Sequence, residues 1–235
     1  KTVFLLEASY LNWKGKRADA INVLNKGIGK IKDSTKRVKL MAEQARLLEL
    51  QREYSKAAEV MKRALELNPT KRDKAILNYK IGLNLSLAGD PQSEHFYSQS
   101  VRMATENGDT AMACEFLRNY ADYLANNGKY RQSNNVYREI SRMMPQMAGL
   151  SAIQMAMAGN YINLHMPDSA RICNEKAIES EARLEAKGFD DISRRMVIEL
   201  ERCLLDYGDG KPVSYVGLSR YCDSITADMH AKEST

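Results

Sequence analysis

Residues 51–69 read QREYSKAAEVMKRALELNP. Tyr54, Ala57, Met61, Ala64 and Pro69 follow one another at intervals of 3, 4, 3 and 5. The first three intervals are those of one face of an α-helix. The order is an aromatic, a small residue, a large one and another small one, and a proline closes the run. Proline lacks the amide donor and clashes with the preceding turn, so it marks the helix end.

The same rhythm recurs along the chain. Gly15, Ala20, Leu24 and Gly27 repeat it near the start, after a helical stretch with Phe4, Ala8 and Leu11. Met41, Ala45 and Leu48 precede the copy at 51–69. Leu117, Tyr120, Ala121 and Leu124 lead into Gly128, Tyr130, Ser133, Tyr137, Ile140 and Pro145. A fifth copy runs through Met157, Ala158 and Tyr161 to Pro167, Ala170 and Ala177. The third is degenerate: Ile81, Gly82, Leu85 and Gly89 match, but Glu94 stands where a small residue is wanted. Counted from Ala20 through Ala57, Glu94, Ser133 and Ala170, the spacings are 37, 37, 39 and 37. Each copy has two apolar stripes separated by a Gly or Pro turn, which predicts a helical hairpin. Ala8, Ala45, Gly82, Ala121 and Ala158 let the paired helices approach, Tyr54 and Tyr130 fill the wedge at the turn, and Pro69 and Pro145 end second helices.

In these residues the chain resembles the tetratricopeptide repeat family over roughly residues 1–180, with a period longer than the family's standard of about 34. The resemblance implies an all-α fold, a right-handed α-α superhelix of five to six hairpins. The expected hairpins cover about 1–34, 38–71, 75–108, 114–147 and 151–184, with an atypical capping hairpin and C-terminal helix over 185–235. Gly188-Phe-Asp-Asp191 breaks the fifth unit's second helix, Ile192–Tyr207 forms another helix, and Val213–His230 the last, after a turn at Gly208–Pro212. The whole is expected to be one solenoid domain, because a lone hairpin cannot bury its own apolar face.

The resemblance further implies a concave groove lined by first helices, binding a peptide or protein segment. Carried over unit by unit, the groove positions are Asn12, Trp13, Lys39, Arg46, Tyr79, Arg118, Asp122, Asn126, Met155 and Asn163. Arg46, Tyr79 and Arg118 come from consecutive hairpins and form one track. Trp13, the only tryptophan, is either an aromatic anchor or a cap on the first hairpin's core. The Lys/Asn set by which some family members clamp a terminal carboxylate is not reproduced, since Leu5 and Ser9 stand in its first repeat. Tyr221-Cys-Asp-Ser-Ile225 with its polar tail, and Pro167-Asp-Ser-Ala170, resemble bacterial tetratricopeptide sensor regions. The expected role is therefore a non-catalytic sensory or regulatory module of a larger bacterial signalling protein. A free-standing scaffold or assembly factor is the alternative, self-association is a further option, and an enzyme on an all-helical scaffold comes third.

Composition fits this reading. With 235 residues, 44% hydrophobic and 28% charged, the chain can bury a core without a disulfide or metal. Cys114, Cys173, Cys203 and Cys222 form no C-x-x-C pair and read as packing thiols. His95, His165 and His230 are scattered in turns or near the tail. Gly27-Ile-Gly29-Lys30 lies in a second helix without the full phosphate-loop pattern, so Gly27 reads as a packing residue. Glu179, Glu181 and Glu185 read as a solvated helix face. No nucleophile–base constellation is visible, and no catalytic residue, metal or cofactor is expected. The net charge of +5 is uneven, with 18 Lys/Arg against 9 Asp/Glu through residue 75 and 17 against 21 thereafter. Such asymmetry can attract an acidic partner, though solvated helix surfaces account for it too. Nucleic acid is not expected, because aromatics are not interleaved with the cations. Lys30-Ile-Lys32 and Lys71-Arg72-Asp73-Lys74 are placed at hairpin ends, where cations offset the helix dipole. No membrane span or signal peptide is read, and a periplasm-facing or a cytoplasmic location both stay open.

Overall fold

The computed structural model describes residues 3–147, 149–189 and 192–211. It is all-helical among these residues. Five hairpins follow in order: α1 (Val3–Trp13) with α2 (Arg17–Lys30), α3 (Ser34–Glu49) with α4 (Tyr54–Glu66), α5 (Lys71–Leu87) with α6 (Ser93–Glu106), α7 (Thr110–Asn126) with α8 (Tyr130–Met143), and α9 (Leu150–Asn163) with α10 (Pro167–Glu185). A single helix, α11 (Ile192–Gly208), packs on α10. The expected last helix, Val213–His230, lies outside the described residues. The chain divides into two compact units, one through Tyr120 and one from Ala121, so the division falls inside α7.

Each hairpin turn reverses on one residue in the left-handed region. These residues are Gly15, Arg52, Gly89, Gly128 and His165, with φ of 77°, 60°, 74°, 73° and 55°. The next amide reaches back to the first helix, as in Glu53 N to Leu48 O at 2.9 Å and Met166 N to Tyr161 O at 2.9 Å. This is the bond that closes a helix end on a left-handed residue. Glycine adopts that conformation at no steric cost, whereas Arg52 and His165 carry a Cβ against the carbonyl.

Side-chain caps start the helices. Asp33 accepts from the Lys36 amide at 2.9 Å, Thr70 from the Asp73 amide at 3.1 Å, and Asp109 from the Met112 amide at 3.0 Å. Pro167 occupies the first turn of α10, where its missing amide costs nothing. Pro69 and Pro145 stand just beyond the ends of α4 and α8. Tyr54 and Tyr130 are half-buried at the starts of those helices.

The second helices share a buried pattern of small, large and small or apolar residues spaced 4 and 3 apart. It reads Ala20-Leu24-Gly27, Ala57-Met61-Ala64, Ser93-Tyr97-Ser100 and Ser133-Tyr137-Ile140. In α10, Ala170, Asn174 and Ala177 hold the same positions. The third copy is therefore not degenerate at its small position. Ser93 is fully buried there, while Glu94 is only half-buried and accepts from the Tyr120 hydroxyl at 3.2 Å. Measured between the two close-contact residues, the α5–α6 turn is one residue shorter than the others, 11 positions from Gly82 to Ser93 against 12 from Ala45 to Ala57, which moves the pattern back by one.

Opposite these residues, Ala8, Ala45, Ala121 and Ala158 are fully buried. A Cβ on Gly82 would stand 3.1 Å from the Tyr97 nitrogen and 3.2 Å from the Ser93 carbonyl oxygen. Here α5 and α6 touch almost backbone to backbone. A Cβ on Gly27 would come within 2.8 Å of the Phe4 ring, so Gly27 is the packing residue expected of it.

Three expectations on charge and position are corrected. Lys71, Arg72 and Lys74 open α5 rather than closing α4, so they do not offset a C-terminal dipole. Arg72 instead pairs with Asp109 at 2.8 Å and Lys74 with the Asn68 side-chain oxygen at 2.7 Å. Glu181 is buried rather than solvated, because α11 lies over α10: it accepts from the Ser151 hydroxyl and pairs with Arg194 at 3.1 Å. Glu185 likewise pairs with Arg195 at 2.8 Å. His95 stands within α6, not in a turn.

Two stability measurements check this register. Ser93 Oγ is buried without a hydrogen-bond partner, so Ser93→Ala should raise stability by about 1 kcal/mol in urea denaturation, while Ser93→Leu should lower it by about 1–3 kcal/mol through overpacking. The same two changes at Glu94 should do neither. Arg52→Gly and His165→Gly should each stabilise by about 0.5–1 kcal/mol, the left-handed strain relieved less the added chain entropy.

Candidate functional site

Within the unit ending at Tyr120, the first helices α3, α5 and α7 carry a series of polar and aromatic contacts. Arg46 on α3 makes a two-pronged bond to Glu43, at 2.9 and 2.6 Å. That carboxylate, with Glu49 adding to the field, holds the guanidinium pKa above its ordinary value. Glu49 in turn accepts from the buried Asn84 side-chain amide on α5 at 2.7 Å, and the same amide group reaches the Lys80 carbonyl at 2.9 Å. One turn earlier on α5, Tyr79 stacks on Phe116 of α7, with ring centroids 4.5 Å apart and planes 10° from parallel. Tyr79 also leans on Tyr97 at 6.2 Å, and Tyr97 stacks on Tyr120 at 5.9 Å. Offset stacking of this kind adds about 0.5–1.5 kcal/mol beyond area burial.

Arg46 and Tyr79 thus sit in this series, although each is already engaged by a neighbour. Arg118 and Lys39 are exposed. Asn12 accepts from Arg17 at 3.4 Å, at the end of α1. Trp13 is 76% exposed and does not cap the first core; Lys14 stands 4.9 Å over its ring and Tyr10 lies 6.2 Å away. Val3, Leu6 and Tyr10 are exposed on the same helix, at spacings of 3 and 4 that continue to Trp13. They make an apolar stripe on α1.

In the second unit, Asp122 is exposed and accepts from the Tyr137 hydroxyl, and Asn126 is exposed at the end of α7. Met155 is half-buried on α9. Asn163 is exposed and donates to the Gly159 carbonyl at 2.9 Å, a bond inside its own helix.

Sequence reasoning missed the residues that hold this face together. Phe116, Glu49 and Asn84 face neighbouring hairpins, and no short-range motif marks them. It also missed a cleft of about 330 Å³ between α8, α9 and α10, lined by Arg138, Arg142, Tyr161, Ile172, Cys173 and Lys176 among others. Arg138 donates to the Asn135 side chain at 2.7 Å and to the Tyr161 hydroxyl. Burial pushes the Cys173 thiol pKa up, while Lys176 and Arg138 pull it down. The spacing of Arg138, Arg142 and Lys176 along α8 and α10 is the only sequence trace of this cleft.

Behind it, Arg171 fastens α10 to α11 through Asp206 at 2.6 Å, Asp209 at 2.7 Å and the Leu205 carbonyl at 2.8 Å. Asn174 donates to the Ile198 carbonyl at 3.0 Å and to Glu201 at 3.1 Å. Among the described residues no group of three His, Cys, Asp or Glu could hold a metal ion. Cys114, Cys173 and Cys203 are buried; Cys222 and His230 lie outside the described residues. No helix among them is long and apolar enough to cross a membrane.

No protein-family model matches the chain, and no curated protein matches it. Solved structures do. BtubC (BKLC) from P. vanneervenii aligns over 100% of this chain and 94% of its own, at a TM-score of 0.68 and 12% identity. The nearly identical TPR-like repeats of a kinesin light chain from Podosopora anserina align over 77% of this chain and 94% of theirs, at 0.63 and 12%. A Rap protein complexed with competence and sporulation factor aligns over 95% of this chain and 63% of its own, at 0.56 and 13%. The fold is that of the tetratricopeptide-like solenoids. Identities this low carry the fold alone.

The half-buried Glu201 carboxylate beside Asn174 gives a pH test. Burial raises the Glu201 pKa above its ordinary value, against the lowering effect of the Asn174 bond. An acid whose folded pKa is raised favours folding below its unfolded pKa and loses that contribution as pH rises through the folded value. Glu201→Gln keeps an oxygen for Asn174 and removes the charge. Thermal unfolding should show it stabilised at pH 7, with the gain shrinking as pH falls and gone by about pH 3, below the ordinary glutamate value of about 4.3.

Proposed function

We propose that this chain is a non-catalytic module that binds a peptide or protein segment along its first helices. The observation carrying this reading is the placement of Arg46, Tyr79 and Arg118, none of them buried, on three successive first helices, α3, α5 and α7. Arg46 lies half-exposed against Glu43, so an incoming carboxylate or carbonyl can replace Glu43 without burying a new charge. Exposed Lys39 on α3 and Arg118 on α7 add cations to these helices, and aromatic and arginine side chains are the usual anchors of such surfaces. The Rap protein of similar fold is complexed with a factor, which supports the reading by analogy.

In this reading the module is the sensory or regulatory part of a larger bacterial signalling protein. An extended segment bridging α3, α5 and α7 shifts the hairpins relative to one another, and the attached output responds. A bound segment can shift that equilibrium only by its differential affinity for the two states. The exposed stripe of Val3, Leu6, Tyr10 and Trp13 favours a second reading, a scaffold or assembly factor that joins another protein through α1.

A peptide array probed with the wild-type chain and with Arg46→Ala/Tyr79→Ala/Arg118→Ala checks the first reading. Circular dichroism first confirms helical content, because Tyr79→Ala also removes a stacking contact. Peptides held by the wild type should lose about tenfold or more in affinity for the triple variant, the cost of a hot-spot anchor. Equal binding by both proteins would move the site off the first helices. Loss caused instead by Tyr10→Ser/Trp13→Ser would favour the scaffold.

A further inference from the structure

We propose that the cleft between α8, α9 and α10 is a binding site for a phosphate monoester, carried by a small molecule or by a phosphorylated side chain. Three cations line it, Arg138 and Arg142 from α8 and Lys176 from α10, and none of its lining residues is acidic. Elsewhere Arg46, Arg72, Arg102, Arg171, Arg183 and Arg202 are each paired with a carboxylate. Arg142 and Lys176 form no ion pair among the described residues and stay exposed at the rim.

Arg138 is held in place. Its guanidinium bonds the Asn135 side chain and the Tyr161 hydroxyl, which fixes the fork before any ligand arrives. A planar fork positioned in this way matches a phosphate better than a flexible ammonium does. Arg138 from α8 and Lys176 from α10 line the same cleft, together with Cys173.

Charge matching favours phosphate over carboxylate. Three unneutralised cations exceed what one carboxylate offsets, whereas a phosphate monoester brings about −1.5 to −2 at neutral pH and three acceptor oxygens. Bonds between such groups are short and roughly twice as strong as neutral ones. Beside the cations, Met157, Ile172 and Cys173 give an apolar wall. A volume of about 330 Å³ is at the lower end for small-molecule sites, and suits a phosphate with a short carrier. This site shares no residue with the series on α3, α5 and α7.

Calorimetric titration at low salt tests the assignment, using inorganic phosphate, phenyl phosphate, a phosphoserine peptide and the same peptide unphosphorylated or with glutamate in place of phosphoserine. The variant Arg142→Gln/Lys176→Gln removes two exposed cations without touching a packed residue. Lys26→Gln/Arg63→Gln, exposed and remote in sequence, makes the same change in net charge. Phosphorylated ligands should bind, and R142Q/K176Q should weaken them by about tenfold or more, with the control variant unchanged. Tighter binding of phenyl phosphate than of the phosphopeptide identifies a small-molecule source, and the reverse a protein source. The proposal fails if no phosphorylated probe binds, if the glutamate peptide binds equally well, or if the control variant loses as much as R142Q/K176Q.

Discussion

The close approach of the two helices in each hairpin is the constraint on which the remaining packing rests. It is met by small residues on both sides: Ala8 with Ala20, Ala45 with Ala57, Gly82 with Ser93, Ala121 with Ser133, and Ala158 with Ala170, each alanine and serine fully buried. At Gly82 even a methyl group would press on the backbone of α6. The large residue four positions on, Leu24, Met61, Tyr97 or Tyr137, is buried beside that contact, and Tyr97 reaches both Tyr79 of its own hairpin and Tyr120 of the next. Interiors pack at crystal-like density, so the contact and the side chain beside it are set together.

Between hairpins, buried amides add specificity to this apolar packing. Gln44 on α3 donates to Asn25 on α2 at 2.9 Å, Asn84 on α5 to Glu49 on α3, and Asn160 on α9 to both Ser133 and Asn134 on α8. Each such bond contributes only about 1 kcal/mol net, but an unmatched buried amide costs more. A hairpin stacked out of register would leave these amides unmatched in addition to disturbing its apolar contacts. Their effect is therefore to penalise wrong stacking more than to strengthen the right one.

Elements whose determinants lie close together in sequence were legible in advance. The Gly15 and Gly128 turns, the ends at Pro69 and Pro145, and the packing role of Gly27 all follow from residues within one hairpin. What escaped depended on partners far along the chain. Glu181 looks solvated on a helical wheel of α10, and only α11 folding across it supplies Arg194. Tyr79 matched the groove pattern, but its stacking partner Phe116 stands 37 residues away. The cationic cleft draws on three helices, two of them separated by the whole of α9. Ser93 was misplaced for a different reason: a fixed repeat length hid a turn that is one residue short.

That short turn shifts phase. One residue of α-helix is a rotation of about 100°. The buried pattern starts 36 residues after its predecessor at Ser93, then 40 later at Ser133, so the slip in α6 is made good before α8 begins. Had α6 kept the common frame, its core would have had to accept Glu94. By setting Ser93 rather than Glu94 against Gly82, the hairpin keeps a small residue at the close contact. A one-residue change between the contacts therefore selects which face of a helix is buried, so a repeat array can re-choose its core face by insertion or deletion as well as by substitution.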